Sequence, residues 1–189
     1  MTNYKYAFLA VLFPVFGFAQ NTISGDIVLP NALPVCNVLV ELLDQNDQVI
    51  RQDFSEEDGT FQLLNVPNGT DYSLRFFKDD PYLNGTSTFD MVLIARLVLG
   101  IDPLTNYYAL WAGDVNGSGT LTTLDMILIR KVILNVDTTF PASSWGFDEA
   151  DAMNCDNLIE IPSLTASVSV SVIGVKRGDL NNSTLMNCQ

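Results

Sequence analysis

Residues 113–134 read Gly-Asp-Val-Asn-Gly-Ser-Gly-Thr-Leu-Thr-Thr-Leu-Asp-Met-Ile-Leu-Ile-Arg-Lys-Val-Ile-Leu, and no other stretch restricts the fold as tightly. Counting from Asp114, oxygen-bearing side chains stand at positions 1, 3, 5, 7, 9 and 12: Asp114, Asn116, Ser118, Thr120, Thr122 and Asp125. Gly119 occupies position 6, where a tight turn needs positive φ. This is the spacing with which a twelve-residue loop wraps one calcium ion, and hard oxygen donors suit Ca²⁺ better than zinc or copper. The competing reading is a chain of Asx turns, with Asp125 placed near a helix N-terminus. An apolar helix is expected directly after the loop. Thr105–Ala112, with two tyrosines and an asparagine, does not read as a helix before it.

The unit has an internal copy. At an offset of 35 residues Asp79 matches Asp114, Thr88 matches Thr123, Asp90-Met91 matches Asp125-Met126, Leu93 matches Leu128, Ile94 matches Ile129 and Leu99 matches Leu134. The first loop, Asp79–Asp90, is degenerate, because Pro81 and Leu83 stand at positions 3 and 5. Its remaining donors are Asp79, Ser87 and Asp90, with Asp80 and Asn84 nearby, so Asp90 needs donors from another segment to hold an ion. A third copy begins at the tail, where Gly178-Asp179-Leu180-Asn181-Asn182-Ser183 repeats Gly113–Ser118. Its twelfth position would fall at 190, one past Gln189, so Asp179, Asn181 and Ser183 form a half-loop that something else must complete.

Both helices after the loops are apolar almost all round, which predicts burial on more than one side. Gly100, helped by Pro103, closes the first. Each run is shorter than a membrane span and is interrupted by Arg96 or by Arg130-Lys131.

Ahead of these repeats the hydrophobic period changes to two. Strands are expected at Ile23–Leu29, Val38–Leu42, Val49–Phe54, Phe61–Leu63 and Tyr72–Phe76, separated by turns at Glu57-Asp58-Gly59 and Pro67-Asn68-Gly69. Short strands at this spacing predict a β-sandwich. Behind the repeats, Trp145–Phe147, Leu158–Ile161 and the alternating Val168, Val170 and Val172 read as two or three strands covering the helices.

Composition narrows the function. A net charge of −13 with 9 basic residues leaves no patch to neutralise phosphates, which disfavours nucleic acid. Without histidine, Ser-His-Asp and Cys-His catalysis and most zinc chemistry are excluded, and there is no Walker loop or dinucleotide fingerprint. A non-catalytic chain is expected. Lys5, the apolar run Ala7–Phe18 and Gly17-Phe18-Ala19 have the layout of an export signal, with the mature chain starting at about Gln20. Of Cys36, Cys155 and Cys188, an odd number for an exported chain, Cys155 and Cys188 lie together in the polar C-terminal third and are read as the disulfide. Cys36 is read as a small buried hydrophobe, although sequence alone does not fix the pairing. Trp111, Trp145, Tyr107 and Tyr108 are either core or a sugar-stacking platform.

Two resemblances follow from these motifs. Gly113, Asp114, Val115, Asn116, Gly117, Gly119 and Asp125 resemble the F-hand of dockerin modules, and the tandem repeat resembles the pair such a module contains. The departure is Ser118, where the family usually has Asp; two carboxylates instead of three imply weak calcium binding, roughly 10⁻⁴ to 10⁻³ M. The order Asn84–Asp90, Gly113–Asn116, Ser144–Phe147 and Gly174–Asp179 is similar to dockerin-like modules that end large secreted or cell-surface proteins. That likeness implies a cohesin-like or other cell-surface partner gripped through Thr88, Phe89, Thr123 and Leu124 with Arg96, Arg130 and Lys131; Phe89 and Leu124 are apolar where the family is polar. Separately, Ile23-Ser24-Gly25, Pro34–Leu43, Asp58–Phe61 and Val66–Gly69 with Tyr72 resemble transthyretin-like, carboxypeptidase-regulatory-like and Cna-B-type sandwiches.

The expected organisation is mixed: a signal peptide at 1–19, an all-β, Ig-like or transthyretin-like sandwich at 20–78, a dockerin-like pair of loop–helix repeats at 79–136, and a β tail with a partial third calcium loop at 137–189. The expected role is that of an exported calcium-binding interaction or structural module. The alternative is an accessory or carbohydrate-binding module of a polysaccharide-degrading system.

Overall fold

The computed structural model describes residues 20–103, 107–150, 152 and 157–188. The export signal and Cys155 therefore lie outside the described residues. The five strands expected near the start form as β1 (Gln20–Val28), β2 (Leu39–Leu43), β3 (Val49–Phe54), β4 (Thr60–Pro67) and β5 (Tyr72–Phe77). Three short helices follow, α1 (Thr88–Val98), α2 (Tyr107–Gly113) and α3 (Thr123–Ile133), and then β6 (Trp145–Glu149), β7 (Leu158–Ile161) and β8 (Val168–Lys176).

The late strands do not cover α1 and α3, although β8 packs on α2. They complete the sandwich, whose two four-stranded sheets have the orders β4-β1-β8-β6 and β3-β2-β5-β7. β8 lies parallel to β1, with Ile23 opposite Val168 and Val28 opposite Ile173, and β7 closes the other sheet against β5. Alternation explains why: on β8, Val170 and Val172 point inward to join Ile23, Ile27, Phe61 and Leu74, with Val168 packed against them, whereas helices would have buried a continuous run. The loop–helix segment is thus an insertion between the fifth and sixth strands of a sandwich made from both ends of the chain.

A helix does precede the central loop, contrary to the sequence reading. Seven residues of α2 hold because Trp111 and Ala112 bury against Val175 of β8, with Tyr108, Ile173 and Leu180 packed around them. Tertiary packing overrides weak propensity in so short a helix. The outer helices correct a second expectation. They pack on one another through Ile94, Ile129 and Val132, closed by Val115 and Phe140, but only on that side. Phe89, Val92 and Leu99 of the first unit and Leu124, Ile127 and Leu134 of the second are all more than half exposed.

Repeat symmetry extends past the helices. Gly100 and Asn135, 35 residues apart, both take left-handed φ after the last turn, and Arg96 pairs with Asp102 as Lys131 pairs with Asp137. The disulfide joins Cys36 to Cys188, not Cys155 to Cys188. Cys36 is buried as expected, yet after β8 the chain turns back across the β1–β2 connection and brings Cys188 onto it.

Trp145 is 2% exposed, stacks on Phe147 and donates its indole N–H to Asp80 at 2.9 Å. Trp111 is buried as well, so neither tryptophan offers a face to sugar. Trp145→Ala is expected to lower unfolding free energy by about 3–5 kcal/mol in a denaturant titration, the range for truncating a buried aromatic.

Candidate functional site

Each outer helix starts from the same small device. Ser87 caps α1 and Thr122 caps α3, and in both cases the third helical residue, Asp90 or Asp125, reaches back to the cap. Asp125 Oδ2 accepts from Thr122 N at 2.9 Å and Thr122 Oγ1 at 3.0 Å; Asp90 Oδ2 accepts from Ser87 N at 2.9 Å and Ser87 Oγ at 2.7 Å. Both carboxylates are 0% exposed. Their second oxygens face away from the helix, toward an incoming loop.

In the central unit that loop is the one ahead of α3. Asp114 Oδ1 accepts from Ser118 N at 3.0 Å and Asp114 Oδ2 from Gly119 N at 2.6 Å. Asn116 Oδ1 also accepts from Ser118 N, Ser118 Oγ donates to the Thr120 carbonyl at 3.1 Å, and Asn116 N reaches Asp125 Oδ1 at 3.4 Å. Asp114, Asn116, Ser118, Thr120 and Asp125 are therefore linked in one hydrogen-bond network, the local turn bonding that the competing reading also expects.

Around Asp90 the same pattern is drawn from two distant segments. Asp179 Oδ1 accepts from Ser183 N at 2.9 Å and Oδ2 from Thr184 N at 2.7 Å, the counterparts of Ser118 and Gly119. Ser183 Oγ donates to the Gly85 carbonyl at 3.1 Å, as Ser118 Oγ does to Thr120, and Leu180 N donates to Asp90 Oδ1 at 2.8 Å. Asn182 adopts φ +54 where Gly117 has φ +72, and Leu180 packs against the same small core as Val115. The tail thus supplies positions 1 to 6 of a twelve-residue loop and Gly85–Asp90 supply positions 7 to 12. The half-loop read at the C-terminus and the degenerate loop read at 79–90 are two parts of one ring.

Asp79, aligned in sequence with Asp114, has no place in that ring. It is exposed, accepts from Ser144 Oγ at 3.3 Å and lends its charge to buried Lys176. The offset of 35 residues fails there because Asp79 follows β5 directly, and Asp79 and Asp80 serve the cations at the sandwich edge. Lys78 pairs with Asp80 at 3.6 Å and donates to the Cys36 carbonyl. The Lys176 ammonium, 1% exposed and 5.6 Å from the Tyr82 ring, has no hydrogen-bond partner among the described residues. Burial pulls its pKa down from 10.5 to about 8, opposed by Asp80, Asp179 and Asp79.

Each ring concentrates two buried carboxylates. Asp90, Asp114, Asp125 and Asp179 are all at most 5% exposed, and none takes part in the ion pairs found among the described residues. Burial raises the Asp179 pKa against the amides of Ser183 and Thr184, and the Asp90 charge raises it further. Arg177 binds the carbonyls of Trp111 and Asp114, which fixes the central loop to the residue two before Asp179.

The residues expected to face a partner are on the surface. Thr123, Leu124, Arg130, Lys131 and Arg96 are exposed. The sequence reading missed their apolar neighbours Val92, Leu99, Ile127 and Leu134: Phe89, Val92, Arg96 and Leu99 form one stripe, and Leu124, Ile127, Lys131 and Leu134 repeat it at the same i, i+3, i+7, i+10 spacing. The duplicated spacing was visible in the sequence, but the inward face could not be assigned without the capping carboxylates.

No family model matches the chain, and no curated protein matches it. Among solved structures it is similar to BcpA, the major pilin subunit of Bacillus cereus, at 21% identity over 36% of this chain and 20% of that one, with a TM-score of 0.31. It is similar to the pilus-presented adhesin Spy0125 (Cpa) at 5% identity over 84% of this chain and 28% of that one, with a TM-score of 0.37. A dioxygenase domain from Streptomyces sp. SirexAA-E matches over 34% of this chain and 52% of its own length, at 16% identity and a TM-score of 0.26. The chain spans less than a third of the pilin and the adhesin, and similarities at these scores carry no functional inference.

Two substitutions test this geometry. A Cβ on Gly85, whose φ is +79, would stand 2.4 Å from Asp179 Oδ2 and 2.9 Å from Thr184 Cα. Gly85→Ala is therefore expected to force the half-loops apart and to speed hydrogen exchange at Ser183 and Thr184 while Ser118 and Gly119 stay protected. For Lys176 the folded pKa is depressed, so folding is penalised below about pH 8 and stability rises as pH climbs from there toward 10.5. Lys176→Met is expected to raise stability at pH 7 by about 1–3 kcal/mol and to remove that rise, read by thermal unfolding across pH.

Proposed function

We propose that this chain is an exported, non-catalytic module of a secreted or cell-surface protein, stabilised by calcium at two sites. One site is continuous, formed by Asp114, Asn116, Ser118, Thr120 and Asp125. The other is discontinuous, formed by Asp179, Asn181 and Ser183 with the Gly85 carbonyl, Ser87 and Asp90. The observation that carries this reading is the pattern the two rings share: Asp179, Ser183, Gly85 and Asp90 stand as Asp114, Ser118, Thr120 and Asp125 do, although the helix carboxylate takes its loop amide from Leu180 in one ring and from Asn116 in the other, and one ring draws on segments some 90 residues apart in sequence. The donors fit Ca²⁺: each ring offers two buried carboxylates, amide and hydroxyl oxygens and a main-chain carbonyl. A bound cation would balance the paired buried carboxylates of each ring and would join loop to helix.

The module's partner, in this reading, is a cell-surface protein, cohesin-like in its mode of attachment, bound by the exposed faces of α1 and α3. Thr123, Leu124, Arg130, Lys131 and Arg96 lie there, among the apolar stripes that give the surface its adhesive character. Among the described residues, no helix is long and apolar enough to cross a membrane.

Calorimetric titration after EDTA treatment is expected to find two calcium ions per chain. Asp125→Asn keeps a cap acceptor but removes the charge, so it should abolish one of them with little change in the calcium-free melting temperature. At calcium 100 times Kd, each lost site removes about 2.7 kcal/mol of ligand-dependent stability. Unchanged stoichiometry in Asp125→Asn would refute the assignment.

A further inference from the structure

The segment after Gly178 forms a strap across the molecule. Its first residues, Asp179–Thr184, are half of the discontinuous ring. Beyond them, Asn31 donates to the Asn182 carbonyl at 3.4 Å, Asn84 and Leu185 exchange two bonds of 3.0 Å, and Asn37 donates to the Asn187 carbonyl at 2.9 Å. Met186 rests on the sandwich core, and Cys188 is bonded to Cys36. The asparagine contacts are exposed, and each exchanges a protein hydrogen bond for one with water at small net gain. The disulfide is the covalent contact in the strap. Its anchor is firm: the Cys36 carbonyl takes a bond from buried Lys78, and both neighbours of Cys36 are tied to Ser55.

We infer that the Cys36–Cys188 disulfide is a redox lock on the discontinuous calcium loop. This rests on the calcium reading above and adds a control to it. With the bond closed, Asp179, Asn181 and Ser183 are held opposite Ser87 and Asp90 at high effective concentration, because the strap is fixed at both ends. Opening the bond leaves one end free, and calcium must then order the strap as it binds. The central loop has no such dependence, since Asp114 through Asp125 are continuous in sequence. Opening requires a dithiol: one thiolate attacks a sulfur of the pair, a mixed disulfide forms, and the second thiolate displaces the remaining sulfur. Two electrons and two protons pass to the protein, which ends with two thiols, and the reductant ends as a disulfide. A surface cleft lined by Cys36, Cys188, Glu56, Glu57 and Asp58 leads to the bond.

The test is a titration of the full chain with Ca²⁺ alone, followed by the amide signals of Gly119 for the central loop and Gly85 for the split one. It is run on the oxidised protein, on protein reduced with dithiothreitol, and on Cys188→Ser. The expected result is a loss of roughly tenfold or more in affinity at Gly85 on reduction and in Cys188→Ser, with Gly119 unchanged. Equal affinity at Gly85 with and without the bond overturns the lock and leaves the calcium reading standing. Parallel weakening at both reporters also overturns it, because the bond would then be holding the fold. No calcium response at either reporter in the oxidised protein overturns the lock and the calcium reading together.

Discussion

A carboxylate at the third position of a helix, with no solvent contact, is the interaction on which this structure depends. Asp90 and Asp125 each divide their two oxygens between different tasks. One oxygen closes the capping box, satisfying amides that the first helical turn cannot bond internally. The other meets a main-chain N–H of a loop arriving from elsewhere, Leu180 in one case and Asn116 in the other. Helix start and loop closure are therefore a single event in each unit. The positive end of the helix dipole favours the buried charge and sets the polarity of the arrangement.

How much of this was legible depended on whether a signal was local. Strand alternation, turn residues and the caps of both outer helices are short-range, and β1 to β5, α1 and α3 stand where the pattern puts them. The order of oxygen-bearing residues from Asp114 to Asp125 is equally local, and their side chains bond within that one stretch. What escaped was every feature settled by distant packing. Asp79 matches Asp114 in the alignment, but its geometric counterpart is Asp179, and no repeat period connects residues brought together by the return of β8 along β1. The helix α2 owes its existence to Trp111 meeting Val175. Proximity in sequence suggested Cys155 for Cys188, whereas the strap carries Cys188 to Cys36, 152 residues away. The outer helices looked buried because their apolar content is high, yet the capping acids turn a defined stripe outward.

The few positive charges are distributed against expectation for so acidic a chain. Lys78, Lys176 and Arg177 are all at most 9% exposed and gather where the sandwich meets the loop–helix unit. Each is tied to carbonyls or acids of that junction: Lys78 to the Cys36 carbonyl, Arg177 to Trp111 and Asp114, Lys176 amid Asp79, Asp80 and Asp179. Long side chains with charged tips can join main-chain oxygens that no apolar residue could satisfy. The two parts of the molecule are fastened by polar interactions inside, while their outer surfaces stay acidic or, on the helices, apolar.

The parallel pairing of β1 with β8 also sets an order of events in time. A polypeptide that emerges from its amino end cannot finish the β4-β1-β8-β6 sheet until β8 is free, nor the ring around Asp90 until Asp179–Thr184 are free. Until then the second strand of the molecule to be matched with β1 is missing and that flank lies open. The arrival of β8 therefore closes that flank and, a few residues later, delivers Asp179 to Asp90.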